Sequence, residues 1–116
     1  MTGYDIYKNA ITRLGYPNGN NSENEKRLFK SAPEFITLIC NNLNLFAPKD
    51  LIEEFTLTEQ QAEAVCCGLC MLISRSEGDK NKCDLYTAVY NNARAKVLFN
   101  SSVLKDTLPS TVDGGR

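Results

Sequence analysis

The sequence predicts an all-α protein, a small bundle of about four helices with an extended C-terminal tail. Three observations predict it. Apolar residues recur at i, i+3, i+4 and i+7 through most of the chain, the spacing of one helical face. Turn-forming clusters at residues 17–24, 47–50 and 76–79 cut that pattern into pieces of helical length. From Asn100 onward the pattern is lost. The expected organisation is therefore a helical bundle domain over 1–99 and an extended tail over 100–116 that binds a partner. The 116 residues suit one domain able to bury a core without cross-links, and the shares of hydrophobic residues (42%) and charged residues (23%) are those of a globular chain.

The first helix is expected over about 2–14. Tyr7, Ala10, Ile11 and Leu14 share a face, Thr2 is placed to cap the start, and Gly15 followed by Pro17 ends it. Residues 17–24 are loop chemistry throughout. A second helical region runs to about Leu45 on a stripe of Leu28, Ala32, Phe35, Ile36, Ile39 and Leu43. Pro33 interrupts it, because proline removes one helical hydrogen bond and clashes with the carbonyl of Phe29. The expectation is a kink or two helices, the second starting near Ser31. After Ala47-Pro48-Lys49-Asp50, residues 51–55 read as a short turn or linker. The clearest helix start is Thr58-Glu59-Gln60-Gln61, a capping box, with Leu57 placed for a hydrophobic staple to Ala62. The helix that follows is apolar nearly all round, which makes it the central one, and Gly68 within it predicts close approach by a neighbour. Ser76-Glu77-Gly78-Asp79 stops it, and a last helix over about 80–98 follows antiparallel, with Cys83, Tyr86, Tyr90, Ala93 and Val97 on its inner face. Asn100-Ser101-Ser102 reads as a breaker, and Pro109 disfavours helix at Leu108, so 103–109 is expected to be extended.

The formal net charge of −1 argues against a grip on nucleic acid built by neutralising phosphates. The absence of histidine removes the commonest general base and metal ligand. No apolar run reaches the length of a membrane span, and the first residues lack the pattern of a signal peptide, so the sequence predicts a chain made in the cytosol and not bound to membrane. Cys67-Gly68-Leu69-Cys70 is a C-x-x-C, but a redox pair uses a helix N-terminus to lower a thiol pKa, and Cys67 lies more than two turns past the cap at Thr58. Cys66 and Cys70 with Cys40 or Cys83 lack the paired short-spaced motifs of a structural zinc site. The five cysteines are expected to pack as small apolar side chains. Glu53 with Glu54, and Glu59 with Glu63, read as solvated surface. Tyr86 and Tyr90 fall on the inner stripe and read as core rather than as a base-stacking platform. Arg94 and Lys96, with Lys105, form a modest basic cluster towards the C-terminus. Nothing here assembles an active site, and the residues alone imply no enzyme, no cofactor and no metal. They point to a helical module that binds or assembles with other proteins.

Four stretches together resemble the head–tail connector (neck adaptor) proteins of tailed bacteriophages. They are Tyr4-Asp5-Ile6-Tyr7-Lys8-Asn9-Ala10-Ile11 with Leu14-Gly15-Tyr16; Leu57-Thr58-Glu59-Gln60-Gln61-Ala62 running into Gly68-Leu69-Cys70-Met71-Leu72; Ser76-Glu77-Gly78-Asp79 before a helix with Tyr86, Tyr90, Asn91 and Arg94; and Lys105-Asp106-Thr107-Leu108-Pro109. The cysteines around Cys66 and Cys67, and Pro33, depart from the family pattern. The resemblance implies a structural virion protein. Copies of it would form a ring, typically a dodecamer, beneath the portal protein, extend the DNA channel and dock the next neck or tail component, the stopper. DNA would pass through without sequence-specific binding. It also implies that the C-terminal segment, Val103, Leu104, Lys105, Asp106, Leu108 and Pro109, reaches the portal or a neighbouring subunit, with Val103, Leu104 and Leu108 as anchors. Arg94 and Lys96 would lie on the subunit or channel surface. The expected location is the virion neck, after synthesis in the bacterial host cytoplasm. The alternative is a small helical regulatory module with the tail as its handle.

Overall fold

Thr2 begins the first helix through a reciprocal cap. Its hydroxyl accepts from the Asp5 amide at 3.2 Å while the Asp5 carboxylate accepts from the Thr2 amide at 2.9 Å. These bonds hold the Asp5 carboxyl below its ordinary value, and they satisfy two of the donors that a helix start leaves open. The structure, a computed structural model, describes residues 1–15 and 23–107. These form four helices: α1 (Gly3–Arg13), α2 (Glu23–Asn42), α3 (Glu59–Ser76) and α4 (Lys80–Thr107). The all-α bundle expected from the sequence is the architecture found. The loop at residues 17–22 lies outside the described residues.

α3 is the hub. Its start is the capping box read from the sequence: Thr58 Oγ1 accepts from the Gln61 amide at 3.1 Å and Gln61 Oε1 accepts from the Thr58 amide at 2.9 Å. Every residue from Ala64 to Met71 is buried, because α1, α2 and α4 all pack on this one helix. Gly68 is what lets α2 in. A Cβ there would stand 2.7 Å from Ile39 Cδ1 and 2.9 Å from both Ile39 Cγ1 and Cγ2. Ser74, a buried polar residue, donates its hydroxyl to the Cys70 carbonyl at 2.8 Å and so leaves no stranded group.

Two expectations are corrected. Of the two outcomes expected at Pro33, a kink or two helices, the second is not found: α2 is one helix of 20 residues with Pro33 inside. Losing one backbone bond costs about 3 kcal/mol, while Ala32, Ile36, Ile39, Cys40 and Leu43 on either side are all buried. Burial of that stripe outweighs the local defect, at roughly 1.5–3 kcal/mol for each large aliphatic side chain. Asn100-Ser101-Ser102 does not break the last helix either: α4 runs on to Thr107, so the extended course expected for 103–107 is helical and the domain boundary drawn at residue 99 falls inside α4. Asn and Ser each cost at most about 0.7 kcal/mol in a helix, and no Gly or Pro intervenes before Pro109. Residues 108–116 lie outside the described residues.

The long connection between α2 and α3 straps over the start of α1. Tyr4 N donates to the Leu51 carbonyl and Phe55 N to the Met1 carbonyl, both at 2.9 Å, and Thr2 and Glu54 form an isolated antiparallel bridge. The turn between α3 and α4 is the one the sequence implied. Gly78 takes φ +74°, which favours glycine, and Asp79 Oδ1 accepts from the Lys82 amide at 3.0 Å to cap α4. At the other end of this corner, Arg27 of α2 pairs with Glu77.

Candidate interaction surface

Of the cysteines and carboxylates that carried the chemical candidates, Glu59, Glu63, Cys66, Cys67 and Cys70 lie on α3. Arg13 on α1 reaches over and binds Glu63 with both guanidinium nitrogens, at 2.8 and 2.7 Å. This bidentate pair pulls the Glu63 carboxyl below its ordinary value and raises Arg13. Cys67 lies beneath it, its thiol 3.5 Å from Glu63 Oε2 and 3.8 Å from Arg13 Nη1. Burial, then the Glu63 charge, pushes the Cys67 thiol up to about 11. A hydrogen bond shared with Cys66, with burial, raises Cys70 as well; its thiol also donates to the Ala10 carbonyl at 3.6 Å. Both members of the C-x-x-C are thus held as thiols, the opposite of what an attacking cysteine requires. All five cysteines are free, and only Cys83 is not buried. Among the described residues no group of three or more Cys, Asp or Glu is placed to hold a metal.

The remaining candidates resolve into local structural roles. Glu54 pairs with the N-terminal ammonium at 2.7 Å, and Glu53 caps the Lys49 amide. Tyr90 is buried and donates its hydroxyl to Asn42 Oδ1 at 2.6 Å, while Tyr86 reaches the Arg13 carbonyl at 3.5 Å. Burial raises both phenols. Neither ring is displayed for stacking on bases.

Arg94 and Lys96, grouped from the sequence as one basic surface, lie on different sides of α4. Two positions along a helix is a turn of about 200°. Lys96 is exposed and lines a groove of about 500 Å³ between α3 and α4, opposite Glu59 and Glu63. Arg94 is partly buried on the other flank, and its Nε is buried with no hydrogen-bond partner among the described residues. The groove floor holds Cys67, and Val89 and Ala93 give its α4 wall an apolar strip.

α3 and α4 double back at 77–79, so the start of α3 stands level with Lys96; Glu59 and Lys96 share the groove. Beyond it, the ten residues 98–107 continue α4 for roughly 15 Å. Val97, at the edge, is 6% exposed, whereas Phe99 is 66% exposed. Val103, Leu104, Lys105 and Asp106, the expected partner-binding residues, fall in these last turns as helix. Leu108 and Pro109 lie outside the described residues.

The surface also carries large apolar side chains. Phe46 and Ile52, in the connection after α2, are 97% and 80% exposed. Leu85 and Val89 join Phe99 along α4. The signal was present for α4: Leu85 and Val89 stand well off the arc of Tyr86, Tyr90 and Val97, too far round for one helix to bury both sets. No helix among the described residues is long and apolar enough to cross a membrane. Comparison with protein-family models, with curated proteins and with solved structures finds no match to this chain.

Proposed function

We propose that this chain is a structural assembly protein of a virus particle, a head-to-tail connector that forms a ring under the portal, extends the DNA channel and docks the next neck or tail component. The sequence resemblance supplies the family, and one observation supports it best. The last ten described residues of α4 outrun the helix that α4 packs on and include Phe99, largely exposed. An isolated helical extension of this length is marginal by itself in water, and a partner groove is the ordinary way to stabilise one. The segment containing Val103, Leu104, Lys105 and Asp106 is then a docking helix that enters the portal or a neighbouring subunit, continued by Leu108 and Pro109. The formal charge of −1 suits a conduit, because a strongly basic lumen would hold DNA by counterion release. Lys96, exposed, belongs to the surface between subunits or along the channel. No catalytic step, cofactor or metal enters this role.

The test is mass spectrometry of purified virus particles from the source organism. Recovery of this polypeptide at low copy number beside portal and tail proteins is the expected result. Its absence from intact particles in which the portal is detected overturns the connector reading. The second reading, a helical module that binds one regulatory partner, is favoured by the α3–α4 groove. It predicts a complex of small fixed stoichiometry in cell extracts and no recovery in particles.

A further inference from the structure

Helices α3 and α4 double back on each other and leave a groove of about 500 Å³ along one side of their contact. Its α3 side is lined by Glu59, Glu63 and Cys67, at i, i+4 and i+8. Its α4 side is lined by Val89, Ala93 and Lys96, at i, i+4 and i+7. Cys67, Val89 and Ala93 are small side chains, so the two helices meet here without filling the space between them. A space of this size is in the range of small-molecule sites, which combine an apolar lining with a few placed polar groups.

Both guanidinium nitrogens of Arg13 hold Glu63, so that pair is neutral as a unit. The Cys67 thiol keeps its proton to about 11 and brings no charge. One anion, Glu59, and one cation, Lys96, remain in the groove. Both are exposed, and neither has an ion-pair partner among the described residues. A ligand that is only a cation meets Lys96 as well as Glu59. One that is only an anion meets Glu59 and Glu63 as well as Lys96. A ligand with both charges suits both walls, and an apolar body between the charges covers Val89 and Ala93.

We propose that this groove binds a small zwitterion with an apolar body, its ammonium on Glu59, its carboxylate on Lys96 and its body against Val89 and Ala93. Short apolar peptides with free termini share this chemistry with aliphatic ω-amino acids. In both, a spacer separates the two charges, as the groove separates Glu59 on α3 from Lys96 on α4. The site stands apart from the connector reading, and its test needs no virus component.

The experiment is a titration of the full chain, followed through the NMR amide and methyl signals. Two probes are used, the dipeptide leucyl-leucine and ε-aminocaproate, each to about 20 mM, a range that captures millimolar dissociation constants. At least one is expected to shift the signals of Val89, Ala93 and Lys96 saturably, and the tighter of the two identifies the source. Leucyl-leucine amide lacks the anion and N-acetyl-leucyl-leucine lacks the cation; hexylamine and hexanoate are the matching pair for ε-aminocaproate. Each analogue should bind about three- to fivefold more weakly than its zwitterion, the ordinary worth of one partly exposed ion pair. Glu59→Gln should erase the difference between a zwitterion and its analogue without the ammonium, and leave the other difference in place. Lys96→Gln should do the reverse. Both positions are exposed, and circular dichroism checks that both variants remain folded. Absence of saturable shifts with either probe, shifts that fall outside the groove, analogues that bind as tightly as the zwitterions, or variants that keep both differences overturn the proposal.

Discussion

Gly68 sits where two helices meet, and it separates intrinsic preference from packing. In an exposed helix, alanine is better than glycine by about 1 kcal/mol. Here the added Cβ would meet three atoms of Ile39 within 2.9 Å. Two of them, Cγ1 and Cγ2, branch from the same carbon, so no rotation of Ile39 clears both. Gly68→Ala should therefore destabilise the fold by about 1–3 kcal/mol, read as a lower urea midpoint. In an Ile39→Val background the same change should cost less, since Cδ1 is gone. Cys67, one residue away, makes a prediction in pH. Its folded thiol keeps its proton to about 11, against an ordinary value of 9.0. In between, the unfolded chain has released that proton while the folded chain has not, so the unfolded state binds fewer protons and stability falls as pH rises. Cys40, raised by burial, adds to the slope, while Cys70, raised through its bond with Cys66, and Cys66, lowered by the same bond, act in opposite directions. Cys67→Ala should thus reduce, without abolishing, the loss in urea midpoint between about pH 8 and pH 10.5. The cavity it leaves is the same at both values and cancels; an unchanged slope would show that Cys67 is not protonated in the way described.

Among the elements, the boundaries that carry their own chemistry were legible and those decided by tertiary burial were not. Thr58 and Gln61 announce the start of α3 within four residues, and Gly78 with Asp79 announces the turn to α4; the structure uses all four as read. Thr58→Ala should cost about 1 kcal/mol, within 0.5–2, and Thr58→Ser should retain most of it, as measured by thermal or urea unfolding. Equal losses in both variants would mean that the methyl group, not the cap, is what matters. The two-helix outcome at Pro33 and the break at Asn100-Ser101-Ser102 are not realised, because both come from local rules that treat these residues as punctuation. Pro33 is overruled by the buried side chains on either side, a quantity spread over α2 and α3. The Asn-Ser-Ser stretch is overruled because each of its residues costs little and α4 already has five turns behind it. The interaction surface was legible only in part. Val103 and Leu104 were named, but as extended chain. Phe46 and Ile52 were passed over, because exposure depends on what the fold fails to cover and no local pattern records that.

At the level of the whole molecule, α1, α2 and α4 are attached to a common centre but not equally to one another. Helix α4 approaches α3 closely along its length, while among the described residues it meets α1 and α2 only through side chains that reach across. Lys82 Nζ donates to the Leu14 carbonyl at 2.7 Å, Tyr86 donates to the Arg13 carbonyl at 3.5 Å, and Tyr90 donates to Asn42 Oδ1 at 2.6 Å. Helices α1 and α2 pack on α3 and also on each other, with Tyr7 and Phe29 in edge-to-face contact at 5.6 Å. The α3–α4 contact is the most extensive between any two described helices, so this pair should be the last to separate. Opening should proceed in two steps, α1 and α2 lifting from the α3–α4 pair before that pair unfolds. Native-state hydrogen exchange should then show amides of α2 around Ile39 opening at a lower free energy than those of α3 around Leu69. Tyr90→Phe keeps the buried ring and deletes the bond to α2, a loss of about 0.5–1.5 kcal/mol. Both openings break that bond, so the protection of the slowest amides should fall by that amount in all four helices. The order of opening is read instead from denaturant: the free energy for exchange in α2 should depend less on urea than that in α3, because the smaller opening exposes less surface. Equal free energies and equal urea dependence in all four helices would mean that they unfold together.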